Sequence, residues 1–468
     1  MTRGKFKPPP LRILAGAVCG VWALSYPAMG QEGSGDQLLT FGISQKFGAN
    51  DNIRLEPTSV GTTYSSDTKL SFGFSSQTEA QTLDFSTSGV ARLVDDPLVG
   101  TDHGFRDPTL ALSYIRDSAN SRLSVYAKYD RPDLAFLDPL TQGVISDQDL
   151  YQGGGTREDS RAGIRLETGL QSPLGFEFDL NSFRRSYSDT TDPLLFSNQT
   201  DTAAVAALFR FSPITLGRLD LYESRYWAED TSQNQVKTNR FTFGLDHQFS
   251  AISSLSANIG HSEVVETINT LPGVETVTRG PIGDVFFSRL MPNGMASAQL
   301  ATTLSQAGRQ NTLEFGRIFE LPVGGLEIFL GATNGTSFNP RPIGRINYTA
   351  DLPTGSLNAS VSRDSYISDT LSQATETTRA DLSYSFDVND LSSLSFSLYY
   401  ADIALIGNNS SGADRERGSF YASYTHDVTQ DWDLQIGYEY RYFSSTTNGP
   451  AHANSVFFAL QRDVDIFR

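Results

Sequence analysis

Polar and apolar residues alternate one by one through much of the chain, and the alternation is clearest between residues 379 and 443. In the run Arg379-Ala-Asp-Leu-Ser-Tyr-Ser-Phe386, every second residue is apolar. Successive side chains of an extended strand point to opposite faces, so this run has one apolar and one polar face. Stretches 394–398, 419–424 and 432–438 repeat the pattern. The sequence therefore predicts an all-β fold of amphipathic strands.

The links between the predicted strands alternate in length. Tight turns built on proline and glycine recur, at Ser172-Pro-Leu-Gly175, Met291-Pro-Asn-Gly294, Leu321-Pro-Val-Gly324 and Leu352-Pro-Thr-Gly355. Proline fixes φ at the second turn position and glycine suits the fourth. Longer polar links are expected at 48–67, 188–199, 363–376 and 401–416. We predict about 22 strands, in a range of about 18 to 24, because weak strands are easily split or merged.

Short turns on one side and long loops on the other are typical of a transmembrane antiparallel up-and-down β-barrel. We expect short periplasmic turns, long extracellular loops and an even strand number, which closes the ring without an edge. The 30 Phe, 19 Tyr and three Trp suit a lipid-facing surface, since aromatic residues favour the two membrane interfaces. No apolar run after residue 30 is long enough for a membrane-spanning helix, which needs about 20 residues.

The first thirty residues differ from the rest. They combine a basic head (Arg3, Lys5, Lys7 and Arg12) with the short apolar run 13–26 and the small-residue site Ala28-Met-Gly30. This layout predicts a cleaved signal peptide at 1–30 and a single barrel domain at 31–468. Removing the leader changes the formal net charge from −17 to −21 and removes Cys19, the only cysteine. The mature chain is therefore expected to lack disulfides and to bind no nucleic acid, whose phosphates need a basic surface.

The chain after residue 30 resembles Gram-negative outer-membrane β-barrels of the porin type, through its architecture and not through a specific motif. The last strand, Ser455 to Arg468, resembles the closing strand of such barrels, although Phe467 is penultimate. The resemblance implies location in the bacterial outer membrane, with outer-membrane lipid and the barrel assembly machinery as partners. The strand number is also similar to that of TonB-dependent transporters. Those carry a plug domain, which we do not expect here because the first strand begins about ten residues after the predicted cleavage site.

Charged residues alternate with the apolar positions and are predicted to line a hydrated lumen. These pore-lining candidates are Arg122, Lys128, Arg161, Arg165, Glu167, Glu177, Asp179, Arg379, Asp381, Asp433, Glu439 and Arg441. A channel that selects one ion type should show a ring of one sign. The mixed signs fit either a non-selective pore or a lumen closed by internal ion pairs.

The longest link, residues 131–158, contains Leu134, Phe136 and Leu140 among aspartates such as Asp133 and Asp138. We expect an external loop with its own small apolar cluster. The alternative is a segment that folds into the lumen and narrows it, in which it resembles the constriction loop of general porins.

Catalytic chemistry is not expected. Asp246-His247 and Asp102-His103 pair a carboxylate with an imidazole, but neighbours on a strand point to opposite faces. The sequence shows no His or Cys cluster with metal-ligand spacing and no nucleophile or phosphate-loop motif. We therefore predict a protein that is not an enzyme and has no cofactor, metal or catalytic residues.

The sequence thus predicts a porin-like outer-membrane channel for the diffusion of small hydrophilic solutes. The alternative is a barrel that serves as a secretion conduit for an exported polymer such as a polysaccharide, or a structural or adhesive surface protein without an open pore. A soluble propeller fits less well, because propeller blades need four short strands in about 40 residues.

Overall fold

The computed structural model describes residues 36–142, 154–190, 192, 195–270, 274–368, 373–406, 414–446 and 449–467. The predicted signal peptide, 1–30, lies outside them. The strands are β1 Asp36–Asn50, β2 Thr63–Gln77, β3 Gln81–Asp96, β4 Gly100–Ser118, β5 Ser121–Asp130, β6 Thr156–Thr168, β7 Leu174–Ser188, β8 Asn198–Ser212, β9 Thr215–Ala228, β10 Asn234–Ser250, β11 Ser253–Ile268, β12 Val274–Met291, β13 Gly294–Ser305, β14 Gly308–Leu321, β15 Gly324–Gly335, β16 Arg341–Leu352, β17 Gly355–Ser368, β18 Gln373–Asn389, β19 Ser392–Ile406, β20 Arg415–Asp427, β21 Trp432–Ser445 and β22 Gly449–Phe467. A short 3-10 helix covers Pro139–Gln142.

The sheet closes on itself. β1 pairs antiparallel with β2 along one side and with β22 along the other, in a single 22-stranded sheet of sequential neighbours. The closing register runs from Asn50 opposite Ser455 to Leu39 opposite Phe467. A closed ring leaves no strand edge whose N–H and C=O groups would face lipid without partners. The prediction of a 22-stranded up-and-down barrel is confirmed.

The proline-glycine turns form the tight hairpins that the sequence predicts. Gly294 and Gly324 begin β13 and β15 with φ of 126° and 153°. A Cβ at either glycine would overlap a backbone carbonyl oxygen of the neighbouring hairpin, that of Ile318 or Thr349. Glycine is therefore required here both by the backbone conformation and by the close approach of the next strand.

A belt of exposed apolar side chains surrounds the barrel. On β10, Phe241, Phe243 and Leu245 project outward, and Phe241 lies beside the exposed Leu221 of β9. From Phe241 to Phe249 the strand rises about 27 Å, or about 20 Å along the membrane normal at a tilt of about 40°, similar to the apolar band of outer-membrane barrels. The chain is a transmembrane β-barrel of the outer-membrane class. The described residues include no helix that is long and apolar enough to cross a membrane.

The strands are longer than the alternation predicts, so several loops are shorter. The link expected at 48–67 covers only 51–62, and β19 and β20 continue to Ile406 and from Arg415. On β10, the outward positions after the apolar belt are Asn239 and Lys237, which remain paired with β11. Where a strand extends beyond the lipid, its outward side chains can be polar. The apolar–polar alternation therefore ends before the backbone hydrogen bonding between strands does.

We expect a disulfide to form between Ser44→Cys and Gln461→Cys, because these residues are register partners on β1 and β22. Oxidation would close almost the whole chain into one covalent ring, which migrates differently on a denaturing gel. The control is Ser44→Cys with Ser455→Cys, which uses the same two strands but joins Ser44 to the register partner of Asn50. Cross-linking of the control alone would contradict the register.

Candidate functional site

Residues 131–142, here called the crossing segment, leave β5 and traverse the inside of the barrel. Leu140 is buried against Ala401 and Ile403 of β19. Counted through β1 and β22, β19 lies eight strands from β5, where eleven would be diametrically opposite. The outward faces of the receiving strands carry exposed residues such as Leu382 and Leu398, so the contacted faces are luminal. The expectation of an external loop is wrong for 131–142, and residues 143–153 lie outside the described part.

The near end of the crossing segment is fixed by a buried arginine on β3. The Arg92 guanidinium lies 2.9 Å from Asp67 and 2.7 Å from Asp107. Phe136 of the segment stacks over the Arg92 guanidinium at 3.8 Å from the ring centroid. The second Asp107 oxygen accepts a hydrogen bond from the Asp133 N–H at 2.8 Å. One ion pair on the wall, Arg92 with Asp107, thus holds both the backbone and a side chain of the segment.

Arginines of three other strands bind the crossing segment further along the inner wall. Arg379 of β18 donates to the Leu140 carbonyl at 3.1 Å, and Arg441 of β21 donates to the Ala135 carbonyl at 3.4 Å. Arg417 of β20 lies 3.8 Å from the Asp138 carboxylate. Hydrogen bonds from charged donors are stronger than those between neutral groups. Arginines on several strands therefore hold this short loop across the lumen.

A second loop, residues 51–62, packs beside the crossing segment. Leu55 is buried against Phe443 of β21 and Ala453 of β22. Arg441 also donates to the Ile53 carbonyl at 3.3 Å, so it binds both loops. The Asn52 amide donates to the His452 carbonyl at 2.9 Å.

Buried ion pairs also lie at the start of β6, where the chain rejoins the barrel wall. Arg185 of β7 makes a two-pronged contact with Asp159 of β6, at 2.7 and 2.8 Å. Arg157 adds a third contact to Asp159 at 3.2 Å, and its backbone N–H donates to the Pro132 carbonyl at 3.1 Å. Burial raises the pKa of the Asp133 carboxyl in the segment, and Arg92 opposes this effect.

The structure places five of the predicted pore-lining residues on β18 and β21, two of the strands that bind the crossing segment. Arg379 forms an ion pair with Asp381 at 2.7 Å, and Arg441 lies 3.9 Å from Glu439. Asp433 lies lower on β21, near the short-turn end.

The other seven candidates lie on the wall formed by β5, β6 and β7. Arg165 lies 3.3 Å from both Glu167 and Glu177, and Glu177 reaches Arg218 of β9 at 2.9 Å across the small Ala206 of β8. The remaining contacts are Arg122 with Asp117, Lys128 with Asp130, Arg161 over the Phe183 ring, and Asp179 accepting from Asn181. The inner wall thus carries ion pairs of mixed sign, and a role in lining a conducting pore stays a prediction.

Sequence reasoning missed Arg92, Asp67, Asp107 and Arg417, which hold the segment. One local signal was present for Asp107, because an Asp-Pro step within a strand indicates a bulge. Asp107 has φ of 49°, and the β3–β4 register shifts beside it. Asp tolerates this left-handed conformation better than most residues.

The residues of the two Asp-His steps have separate partners in the structure. His247 contacts Thr215 through Nδ1 at 2.9 Å, and Asp102 pairs with Arg106 at 2.7 Å. Within the described residues no group of three or more His, Cys, Asp or Glu could hold a metal ion.

Several solved structures share this fold. The ferric-catecholate import receptor Fiu from E. coli matches with a TM-score of 0.57 and 11% identity over 93% of this chain and 82% of that chain. The copper transporter OprC matches with a TM-score of 0.54 and 10% identity over 93% and 81%. The FrpB iron transporter from Neisseria meningitidis matches with 0.55 and 8% over 91% and 82%. At this identity the likeness shows the barrel fold alone. No protein-family model and no curated protein sequence matches the chain.

We expect Leu140→Cys and Ala401→Cys to form a disulfide, because these two side chains are in contact in the lumen. The control is Leu140→Cys with Tyr400→Cys, since Tyr400 neighbours Ala401 on β19 but points to the other face. Diagonal gels of the oxidised protein would show the link. Equal linkage in both pairs, or in neither, would contradict the seating of Leu140.

Replacing Arg92 with leucine should lower the free energy of unfolding by about 3 kcal/mol, because Asp67 and Asp107 lose the cation that compensates their burial. The urea midpoint of the detergent-folded protein measures this change. Arg122→Leu is the matched control, since Arg122 pairs with Asp117 at an exposed position and its loss should change the midpoint little. Equal midpoint shifts would refute a special role for Arg92.

Proposed function

We propose that this chain is an outer-membrane channel for small hydrophilic solutes in which the crossing segment limits the size of what passes. The observation that carries the proposal is the attachment of this segment to the inner wall of the barrel. Arg92 and Arg441 hold one end, at Phe136 and Ala135, while Arg379 and Arg417 hold the other. A segment fastened at both ends acts as a fixed partition in the lumen.

The dimensions support a partition and not a seal. A closed ring of 22 strands has a backbone diameter of about 40 Å, and inward side chains reduce the free width to about 30 Å. A single pass of the chain is about 10 Å wide including side chains. It therefore covers somewhat less than half of a lumen cross-section of that width.

The similar solved structures are a ferric-catecholate receptor, a copper transporter and an iron transporter, and this likeness is consistent with a transport role. The mixed ion pairs on the inner wall support passage of hydrated solutes without strong ion selectivity. A secretion conduit for an exported polymer uses the same lumen in the opposite direction, and a structural or adhesive barrel needs no passage.

In planar lipid bilayers, we expect step-like currents from the purified protein. Replacing residues 134–153 with a short Gly-Ser linker should raise the single-channel conductance roughly twofold, as the partition covers somewhat less than half of the lumen. The control is the same linker in place of residues 229–233 between β9 and β10, which should leave the conductance nearly unchanged.

The absence of current steps from both the native and shortened proteins would overturn the channel and favour a sealed barrel. Currents that do not change when residues 134–153 are replaced would retain the channel but refute the partition.

A further inference from the structure

The luminal face of β14–β19 contains a concavity of about 440 Å³. Its lining includes Glu320, Glu327, Asn347, Asn358, Asp381 and Tyr399. The same strands carry exposed apolar residues at the alternate positions, including Ile346, Val361 and Leu382. Alternation therefore directs the polar set inward. The volume lies in the usual range for small-molecule sites, about 300–1,000 Å³.

The lining combines hydrogen-bond donors and acceptors. The Asn347 amide donates to Glu327 at 2.9 Å, and the Ser360 hydroxyl donates to Asp381 at 3.1 Å. Asp381 is also paired with Arg379 at 2.7 Å. Each carboxylate has more acceptor sites than these contacts use, and each amide has both a donor and an acceptor group.

We propose that this concavity binds a neutral saccharide, one or two sugar units long. Sugar hydroxyls both donate and accept hydrogen bonds, which matches alternating carboxylates, amides and hydroxyls along one wall. The Tyr399 ring supplies an apolar surface with a polar tip for the faces of a sugar ring. The inference rests on the proposed function, because it names the class of solute that reaches this wall through the lumen.

A cationic solute fits the site less well than its carboxylates suggest. Asp381 already has Arg379 as its counter-ion. Another arginine of the same inner wall, Arg345, stacks over the Phe329 ring at 4.4 Å from the centroid. An additional cation at this wall would therefore meet the positive charge of Arg379 and Arg345 as well as the carboxylates of Glu320 and Glu327.

One end of the site lies where the crossing segment contacts β19. Tyr399 packs against the cluster of Leu140, Ala401 and Ile403. Arg379 joins Asp381 of the site to the Leu140 carbonyl of the segment. A bound sugar at this wall thus lies beside the narrowed part of the lumen.

Isothermal titration of the detergent-solubilised full-length protein with maltose tests the site. We expect saturable binding that Asn358→Ala weakens roughly tenfold, the effect of losing one or two hydrogen bonds. Asn258→Ala is the matched control, because Asn258 is a luminal asparagine of β11 that donates to Asp284 at 3.1 Å. Its replacement should leave the maltose affinity unchanged.

Absence of maltose binding, or equal weakening by Asn358→Ala and Asn258→Ala, would overturn the site. Tighter binding of spermidine than of maltose would replace the saccharide with a cationic solute. Calorimetry requires no current, so maltose binding by a non-conducting barrel would refute the channel alone. Currents without maltose binding would refute the site alone.

Discussion

The need to satisfy every backbone hydrogen bond inside lipid governs this structure. A strand edge in hydrocarbon would leave several N–H and C=O groups unpaired, and each would cost several kcal/mol. The pairing of β1 with β22 removes that edge. Once the ring is closed, the apolar belt and the hydrated interior follow from alternation alone, because each strand must present one face to lipid and the other to water.

The wide interior created by this closure has too few side chains to fill it. The protein places a loop there and holds it with buried or half-buried arginines, each of which has a carboxylate or a carbonyl as its partner. The planar guanidinium suits this role because it can bind two groups at once, as Arg92 does with Asp67 and Asp107. Lysine has no such fork, so its ammonium could not reproduce the same pair of contacts.

The sequence predicts what depends on local period and turn chemistry. The strand number, the closure and the inward position of Arg379 or Arg441 follow from the alternation of residues 379–443 and from the proline-glycine turns. The strand ends were less predictable, because the alternation ends at Asn239 while the pairing continues. For residues 131–142 the sequence left two paths open, an external loop and a segment in the lumen, because the contacts of Leu140 with Ala401 join positions remote along the chain.

Arg441 couples the lengths of the two loops that fold into the barrel. Its guanidinium donates to Ala135 in one loop and to Ile53 in the other. If either loop were shortened, an N–H group of the Arg441 guanidinium would lose its acceptor while the other loop kept it buried. The unpaired donor would cost about 1–3 kcal/mol. Insertions and deletions at the two loops are therefore expected to co-vary among natural variants, unlike those at independent surface loops.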